Sequence, residues 1–254
     1  MNLLTLARDL QRRKARERHQ RFVAEGVRTV ESLLDSALDV VGLLVSTSLG
    51  RDARGAAVRD RALSRGYALQ EVTEAEFTSA AGTEAPQGIL AIASIPVRVL
   101  HRPPPVARFL ILDALQDPGN VGTVIRTAAA LGVTATLALT GTVDLWNAKV
   151  VRSSMGAIFD HAAFMCSWES VVSLLDEHQI VCCAADTHGQ AVESALDLAR
   201  TERLALVVGN EGAGLSSPVA ARAAHRVAVR MAPGVESLNV AVATGILLHA
   251  LRPM

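Results

Sequence analysis

Three short stretches of this chain combine glycine, amide and charged side chains in a way that could hold a ligand and act on it. The first is Asp117-Pro118-Gly119-Asn120-Val121-Gly122-Thr123-Val124-Ile125-Arg126. Asn120 is placed to cap a following helix. Gly122 and Arg126 are four residues apart and share a face of that helix, so Arg126 supplies a fixed cation beside the room left by Gly122. The second is Gly209-Asn210-Glu211-Gly212-Ala213-Gly214-Leu215, directly after an apolar run. Its glycines let a ligand approach the backbone, and Glu211 offers one carboxylate. It has neither the spacing of a Walker loop nor that of a dinucleotide-binding glycine fingerprint. The third runs from Met231 to Asn239 through a turn at Pro233–Gly234. There Glu236-Ser237-Leu238-Asn239 opens an apolar helix, with Ser237 at the expected N-cap. Each stretch alone reads as a helix cap or a tight turn. Three of them, each at the end of an apolar strand, point to one site.

The elements that must position these loops form an α/β series. Strands are expected at 108–113, 134–139, 180–185, 204–209 and 227–231. Helices are expected at 121–131, closed by Gly132, and at 146–155, 191–199 and 240–251. Strands this apolar, alternating with helices, make a mostly parallel sheet covered on both faces. Sites on such sheets lie in loops at the carboxyl ends of the strands. The N-terminal part carries a smaller α/β pattern. Helices are expected at 3–22, 25–37, 52–64 and from 73, with strands at 40–46, 68–72 and 88–95. Between the two patterns, Pro103-Pro104-Pro105 suits neither a helix nor a central strand. The expected organisation is therefore residues 1–100, a linker at 101–107, and residues 108–254.

Half of the 254 residues are apolar and only 3% are aromatic, so Ala, Val and Leu must build the core. No apolar run approaches the roughly 20 residues needed to span a bilayer. The first twenty residues are apolar and then basic, the reverse of a secretory signal, so a cytoplasmic location is expected. Cys166, Cys182 and Cys183 lack metal-ligand spacing, and core packing is their expected role. The net charge is zero, yet residues 1–30 hold eight Arg/Lys against three Asp/Glu, which is +5 at one end and −5 over the rest. A basic N-terminal arm fits phosphate contact. On charge alone, a solvated helix face fits equally well.

The three stretches, as Asn120-x-Gly122-x-x-x-Arg126, Gly209-x-Glu211-x-x-Gly214-Leu215 and Ser237-Leu238-Asn239-Val240, resemble the three motifs of the SpoU (TrmH-type) RNA 2′-O-ribose methyltransferases. The resemblance covers residues 108–251. Lys149 to Ala157 is similar to a family segment between the first two motifs. Arg21 to Arg28 is the best match to the family's substrate-binding domain. The residues alone predict a doubly wound, Rossmann-like sheet, because knots are almost absent from proteins. The resemblance implies instead a SPOUT-class parallel sheet with a C-terminal trefoil knot, beside a smaller N-terminal RNA-binding α/β domain. It implies S-adenosylmethionine as cofactor, with Gly209, Val229 and Leu238 contributing backbone contacts to its adenine and ribose.

The implied reaction moves a methyl group to a ribose 2′-hydroxyl. Arg126 is the expected central residue. A guanidinium is effectively never deprotonated in a protein, so its expected role is to bind the adjacent phosphate and stabilise a developing alkoxide. Asn120 is expected to orient Arg126 or the ribose. Glu211 is expected to hold Arg126 or to accept the proton through water. Ser237 and Asn239 are expected to position the substrate and stiffen the cofactor loop. A separate N-terminal domain favours ribosomal RNA over transfer RNA. A silent RNA-binding member of the fold is the competing reading, against which the intact Asn120, Arg126, Glu211 and Asn239 count. A nucleotide-dependent Rossmann enzyme ranks last, since a glycine fingerprint is missing after 108–113. The apolar 240–251 helix and Ala128-Ala129-Ala130 favour a homodimer with Arg126 near the partner chain, as the resemblance also implies.

Overall fold

The computed structural model describes residues 2–49, 53–100 and 102–253. The expected helix start at Asp52, and His101 in the linker, lie outside the described residues. The chain divides into two compact units, residues 1–97 with 146–160 and residues 98–145 with 161–254. Residues 146–160 thus pack with the first unit, although their sequence lies inside the second α/β series.

In the first unit, α1 (Leu3–Asp9) and α2 (Arg13–His19) replace the single helix expected to reach Phe22. Asn2 caps α1, and Gln20 ends α2 in the left-handed conformation. A five-residue strand follows, β1 (Arg21–Glu25), and then α3 (Val27–Asp35). Next come β2 (Val40–Ser46), α4 (Ala53–Ser64), β3 (Leu69–Val72), α5 (Glu74–Ala80) and β4 (Ile89–Ser94). Thr73 starts α5 with a reciprocal capping box to Glu76. The sheet order is β1-β4-β2-β3, with only β2 and β3 parallel.

Alternation along β1 explains why it escaped notice. Val23 packs with Leu4, Leu6, Phe77 and Leu90 on one side. Phe22 points to the other, its ring 4.5 Å from Trp146 and 5.8 Å from Phe159. Both faces are buried and Phe22, Val23 and Ala24 run consecutively, so the period-2 signal vanishes. The basic N-terminus is not a loose arm. Arg8 donates to Ser79, Arg12 and Arg18 pair with Asp9, and Arg13 pairs with Glu17. Arg16 is buried against the carbonyls of Leu10 and Gln11.

The second unit holds a six-stranded parallel sheet, ordered β10-β8-β9-β5-β6-β7. Its strands are β5 (Ala107–Asp113), β6 (Ala135–Leu139), β7 (Ala163–Cys166), β8 (Val181–Ala191), β9 (Arg203–Gly209) and β10 (His225–Ala228). Its helices are α6 (Pro118–Ala130), α8 (Trp168–Glu177), α9 (Leu196–Arg200), α10 (Ser217–Arg222) and α11 (Val240–Ala250). The short α7 (Ala148–Ser153) belongs to the first unit. The sequence reading passed over β7, α8 and α10. It also took 191–199 as one helix, where a 3-10 turn at Val192–Ser194 precedes the short α9.

Phe109, Ile111, Leu137, Cys182 and Val207 face Val171 and Leu175 of α8 and Val219 of α10. The opposite face meets α11, which packs on α6 and β9. Gly132 at φ +71° closes α6, with its N–H on Ala129 and that of Val133 on Ala128. Arg108 is buried, with no carboxylate partner among the described residues. Its guanidinium donates to Leu251 O at 2.8 Å, Ala199 O at 2.8 Å and Thr201 O at 2.9 Å, so one side chain serves the ends of α9 and α11.

His161 gives the second unit a pH dependence. It is buried, with Nε2 2.8 Å from Thr136 Oγ1, and Arg98 donates to its carbonyl. Burial, and secondly the Arg98 charge, push the imidazole down to about 4. An unfolded histidine titrates near about 6.5, so between these values the unfolded chain binds more protons. Stability is therefore full above about pH 6.5 and is lost as pH falls toward about 4, a change of about 3 kcal/mol from this group. Urea unfolding at about pH 7 and about pH 4.5 should show a smaller loss for His161→Gln than for the wild type. Equal losses in the two proteins would contradict this account.

Candidate active site

The first motif lies on α6, but its cap differs from expectation. Asp117, not Asn120, is the N-cap, and its carboxylate accepts from Asn120 N at 2.7 Å. Proline at the next position suits this start. The consequence is that the Asn120 side chain is released from capping. Likewise Asn239, not Ser237, caps α11, accepting from Ala241 N at 2.9 Å and Val242 N at 3.4 Å. The Pro233–Gly234 turn and the residues up to Leu238 form no regular element, so the cap falls two residues later than expected while the helix starts at Val240 as expected.

These two caps fix a hydrogen-bond chain. The N–H groups of α11 demand an acceptor, so Asn239 turns its oxygen toward them and its Nδ2 away. Nδ2 then donates to Asn120 Oδ1 at 3.0 Å. That leaves Asn120 Nδ2 to donate to Glu211 Oε1 at 2.8 Å. Each amide orientation follows from the donor or acceptor its neighbour needs. Residues from all three motifs, 120, 211 and 239, therefore meet in one chain.

Asn210, quoted in the sequence but given no role there, builds the middle loop. Its Oδ1 accepts from Gly212 N and Ala213 N at 3.0 Å, and its Nδ2 donates to Ala114 O at 2.9 Å. A backbone pair between Asn210 and Gly214 closes the loop. A Cβ at Gly209 would lie 2.5 Å from the Gly214 backbone. Glycine is thus required because the loop folds back over it, a constraint that exists before any ligand arrives.

A cavity of about 450 Å³ opens beside this loop. Gly209, Val229 and Leu238 line it together, as do Glu211 and Ser237. Asn120 and Asn239 stand behind it through Glu211. The Ser237 hydroxyl makes no hydrogen bond among the described residues. Arg126 is exposed on α6, while Gly122 is buried. Arg126 has no hydrogen bond or ion pair among the described residues, so Glu211 is held by Asn120 and not by Arg126.

The sequence reading missed one wall of the cavity. Asp186 and Arg226 line it and pair at 2.7 Å. The His188 N–H, and then the Arg226 guanidinium, hold the Asp186 carboxyl below its ordinary range. These residues sit midway along β8 and in β10, outside the motifs. An acid and an arginine forty residues apart carry no local signal. Cys182 and Cys183 are buried free thiols on β8, pushed up to about 11 and about 12 by burial, so they are inert as nucleophiles.

The SpoU rRNA Methylase family model matches residues 107–249, and the MRM3-like substrate binding domain matches residues 5–91. The chain is 33% identical over 248 residues to the 23S rRNA (guanosine(2553)-2′-O)-methyltransferase RlmP of Bacillus subtilis (strain 168), covering 96% of this chain and 93% of the relative. The AdoMet-bound rRNA methyltransferase from Sinorhizobium meliloti has a TM-score of 0.83 at 27% identity, covering 98% of this chain and 93% of that one. A solved RNA 2′-O ribose methyltransferase has a TM-score of 0.83 at 30% identity, covering 98% and 94%. The cavity fits S-adenosylmethionine. Its volume is in the range of small-molecule sites, its walls are mostly apolar, and the chain at Gly209 and Val229 lines it. The chain belongs to the SpoU rRNA methylase family, the S-adenosylmethionine-dependent RNA 2′-O-ribose methyltransferases.

Proposed function

We propose that the RNA is ribosomal, that residues 1–100 select it, and that Arg126 and the Glu211–Asn120–Asn239 chain carry the reaction. The observation behind this reading is the convergence of 120, 211 and 239 beside the cavity that Gly209, Val229 and Leu238 line. The ribosomal substrate is supported by the match of residues 5–91 to a substrate binding domain. It is supported also by the Bacillus subtilis relative, which this chain matches over nearly its whole length. A trefoil-knotted C-terminal path is part of the same reading, supported by membership of the SpoU family.

S-adenosylmethionine, when bound, supplies an electrophilic methyl group on a sulfonium. The chain's task is to hold a 2′-hydroxyl in line and to ease loss of its proton. Alignment alone can lower a barrier by roughly 7–11 kcal/mol in good cases. Arg126, always protonated, cannot be the base. Exposed and uncommitted, it is positioned to take the adjacent phosphate and to stabilise negative charge developing on the 2′-oxygen. Glu211 uses Oε1 for Asn120, and its other oxygen makes no hydrogen bond among the described residues. That oxygen is the acceptor for the departing proton, through water. Asn120 and Asn239 fix the carboxylate. Ser237 and Leu238 shape the mouth of the cavity.

The homodimer is part of this reading. Expected to be buried nearly all round, α11 buries Ala241, Thr244, Leu247 and Leu248 only. Val242 and Ile246, one turn apart, are exposed, as are Val235 and Leu238 before the helix. A twofold contact would cover this stripe.

Two outcomes are expected. Arg126→Ala should lower the rate of methyl transfer to ribosomal RNA by about 100-fold or more, while calorimetry shows unchanged cofactor affinity. Turnover within a factor of a few would remove Arg126 from its role. Sedimentation equilibrium at micromolar concentration should give a dimer, whose interface should exceed about 1,200 Å². A fully active monomer there would refute it.

A further inference from the structure

Two sequence matches that the reaction does not use meet in the first unit. One is the segment around Gly26 that begins α3. The other is the 146–160 segment, which carries Arg152. They line a second cavity, of about 550 Å³, with Glu25, Arg28, Arg54, Arg152 and Met155 on its walls.

The chemistry of these walls is one-sided. Three guanidinium groups face one carboxylate. Glu25 is buried and already accepts from Gly82 N at 2.8 Å and from the Thr83 hydroxyl. Arg152 Nη1 lies 3.8 Å from Glu25, within reach of its charge, but is buried with no hydrogen-bond partner. A buried donor in that state is costly unless an acceptor completes it. Arg28 is exposed and its side chain has no partner among the described residues. Arg54 pairs with Glu31, outside the cavity wall. At the start of α3, Val27 N is taken by Gln87 Oε1 at 3.0 Å, while the N–H groups of Arg28 and Thr29 have no acceptor inside the helix. Among the described lining residues none is aromatic, while three carry guanidinium groups. An anion with several oxygens fits these donors best.

We propose that this cavity is a backbone-phosphate site for the RNA substrate, formed by Arg28 and Arg152 with Arg54 at its edge. This rests on the ribosomal-RNA reading above and deepens it. The site orients RNA without reading its sequence, since phosphate contacts fix register and base contacts carry specificity. It also gives residues 146–160 a purpose. A segment embedded in the methyltransferase sequence completes the phosphate site of the substrate-binding unit.

The test uses the full chain, an unmodified 23S rRNA transcript, and the variants Arg28→Gln and Arg152→Gln. RNA affinity is measured across a range of salt concentrations, cofactor affinity by calorimetry, and methyl transfer with labelled cofactor. Each variant should weaken RNA binding by roughly 5- to 30-fold and flatten the plot of log K against log salt by about 0.7–0.9, with cofactor affinity unchanged. Unchanged RNA affinity and slope in Arg28→Gln and Arg152→Gln, with wild-type protein binding and methylating the RNA, would overturn the site. If Arg152→Gln fails to fold, Arg28→Gln decides alone, because its exposed side chain supports no other contact. If the wild type transfers no methyl group to ribosomal RNA, the functional reading fails, and the binding measurements still judge the phosphate site.

Discussion

The first turn of α11 leaves backbone N–H groups that the helix itself cannot satisfy, and the site depends on how they are satisfied. A serine cap at Ser237 would have met the same need with a hydroxyl and ended the matter there. Asn239 meets it with an amide, which has a second end. That end reaches Asn120, and Asn120 reaches Glu211. Capping α11, worth about 1 kcal/mol in isolation, thereby also fixes a carboxylate at the mouth of the cofactor cavity. A local requirement of helix chemistry has become a device that orients a carboxylate.

The surrounding structure holds that chain still. At one end of α11, Arg108 collects carbonyls from α11, α9 and the following turn, binding the helix to β5 from inside the core. At the other end, the 209–214 loop folds over Gly209 so closely that no side chain could stand there. Asn210 then ties this loop back to Ala114, at the end of β5. The carboxyl ends of β5 and β9 and the start of α11 are thus locked to each other by bonds that involve no ligand. Arg126 is the exception. It stands exposed on α6 with no hydrogen bond or ion pair among the described residues.

Much of this was legible in the sequence, and the failures have physical causes. β2 was read from its sequence to the residue, and β5, β6 and β9 to within one, because buried parallel strands are long apolar runs bounded by turns. The three motifs were recognisable because glycine, asparagine and charge rarely cluster at strand ends without reason. The caps were misplaced, since Asp117 and Asn120, or Ser237 and Asn239, are equally able to cap, and only tertiary contacts choose between them. β1 was absorbed into helices because it is short and buried on both faces. The Asp186–Arg226 wall and the Arg28–Arg152 cavity join residues distant in the chain, and no spacing rule can reveal such meetings. The basic N-terminus resembled a free arm, but most of its arginines turn out to be bonded within α1, α2 and their neighbours.

Whether 120, 211 and 239 act as one unit can be measured directly with a double-mutant cycle. Methyl transfer at saturating RNA and cofactor would be compared for wild type, Asn120→Ala, Asn239→Ala and the double variant. If both amides act by fixing Glu211, breaking either link releases the carboxylate, and the double variant should be no slower than the slower single one. Rate losses that multiply, with each amide contributing independently, would contradict the account.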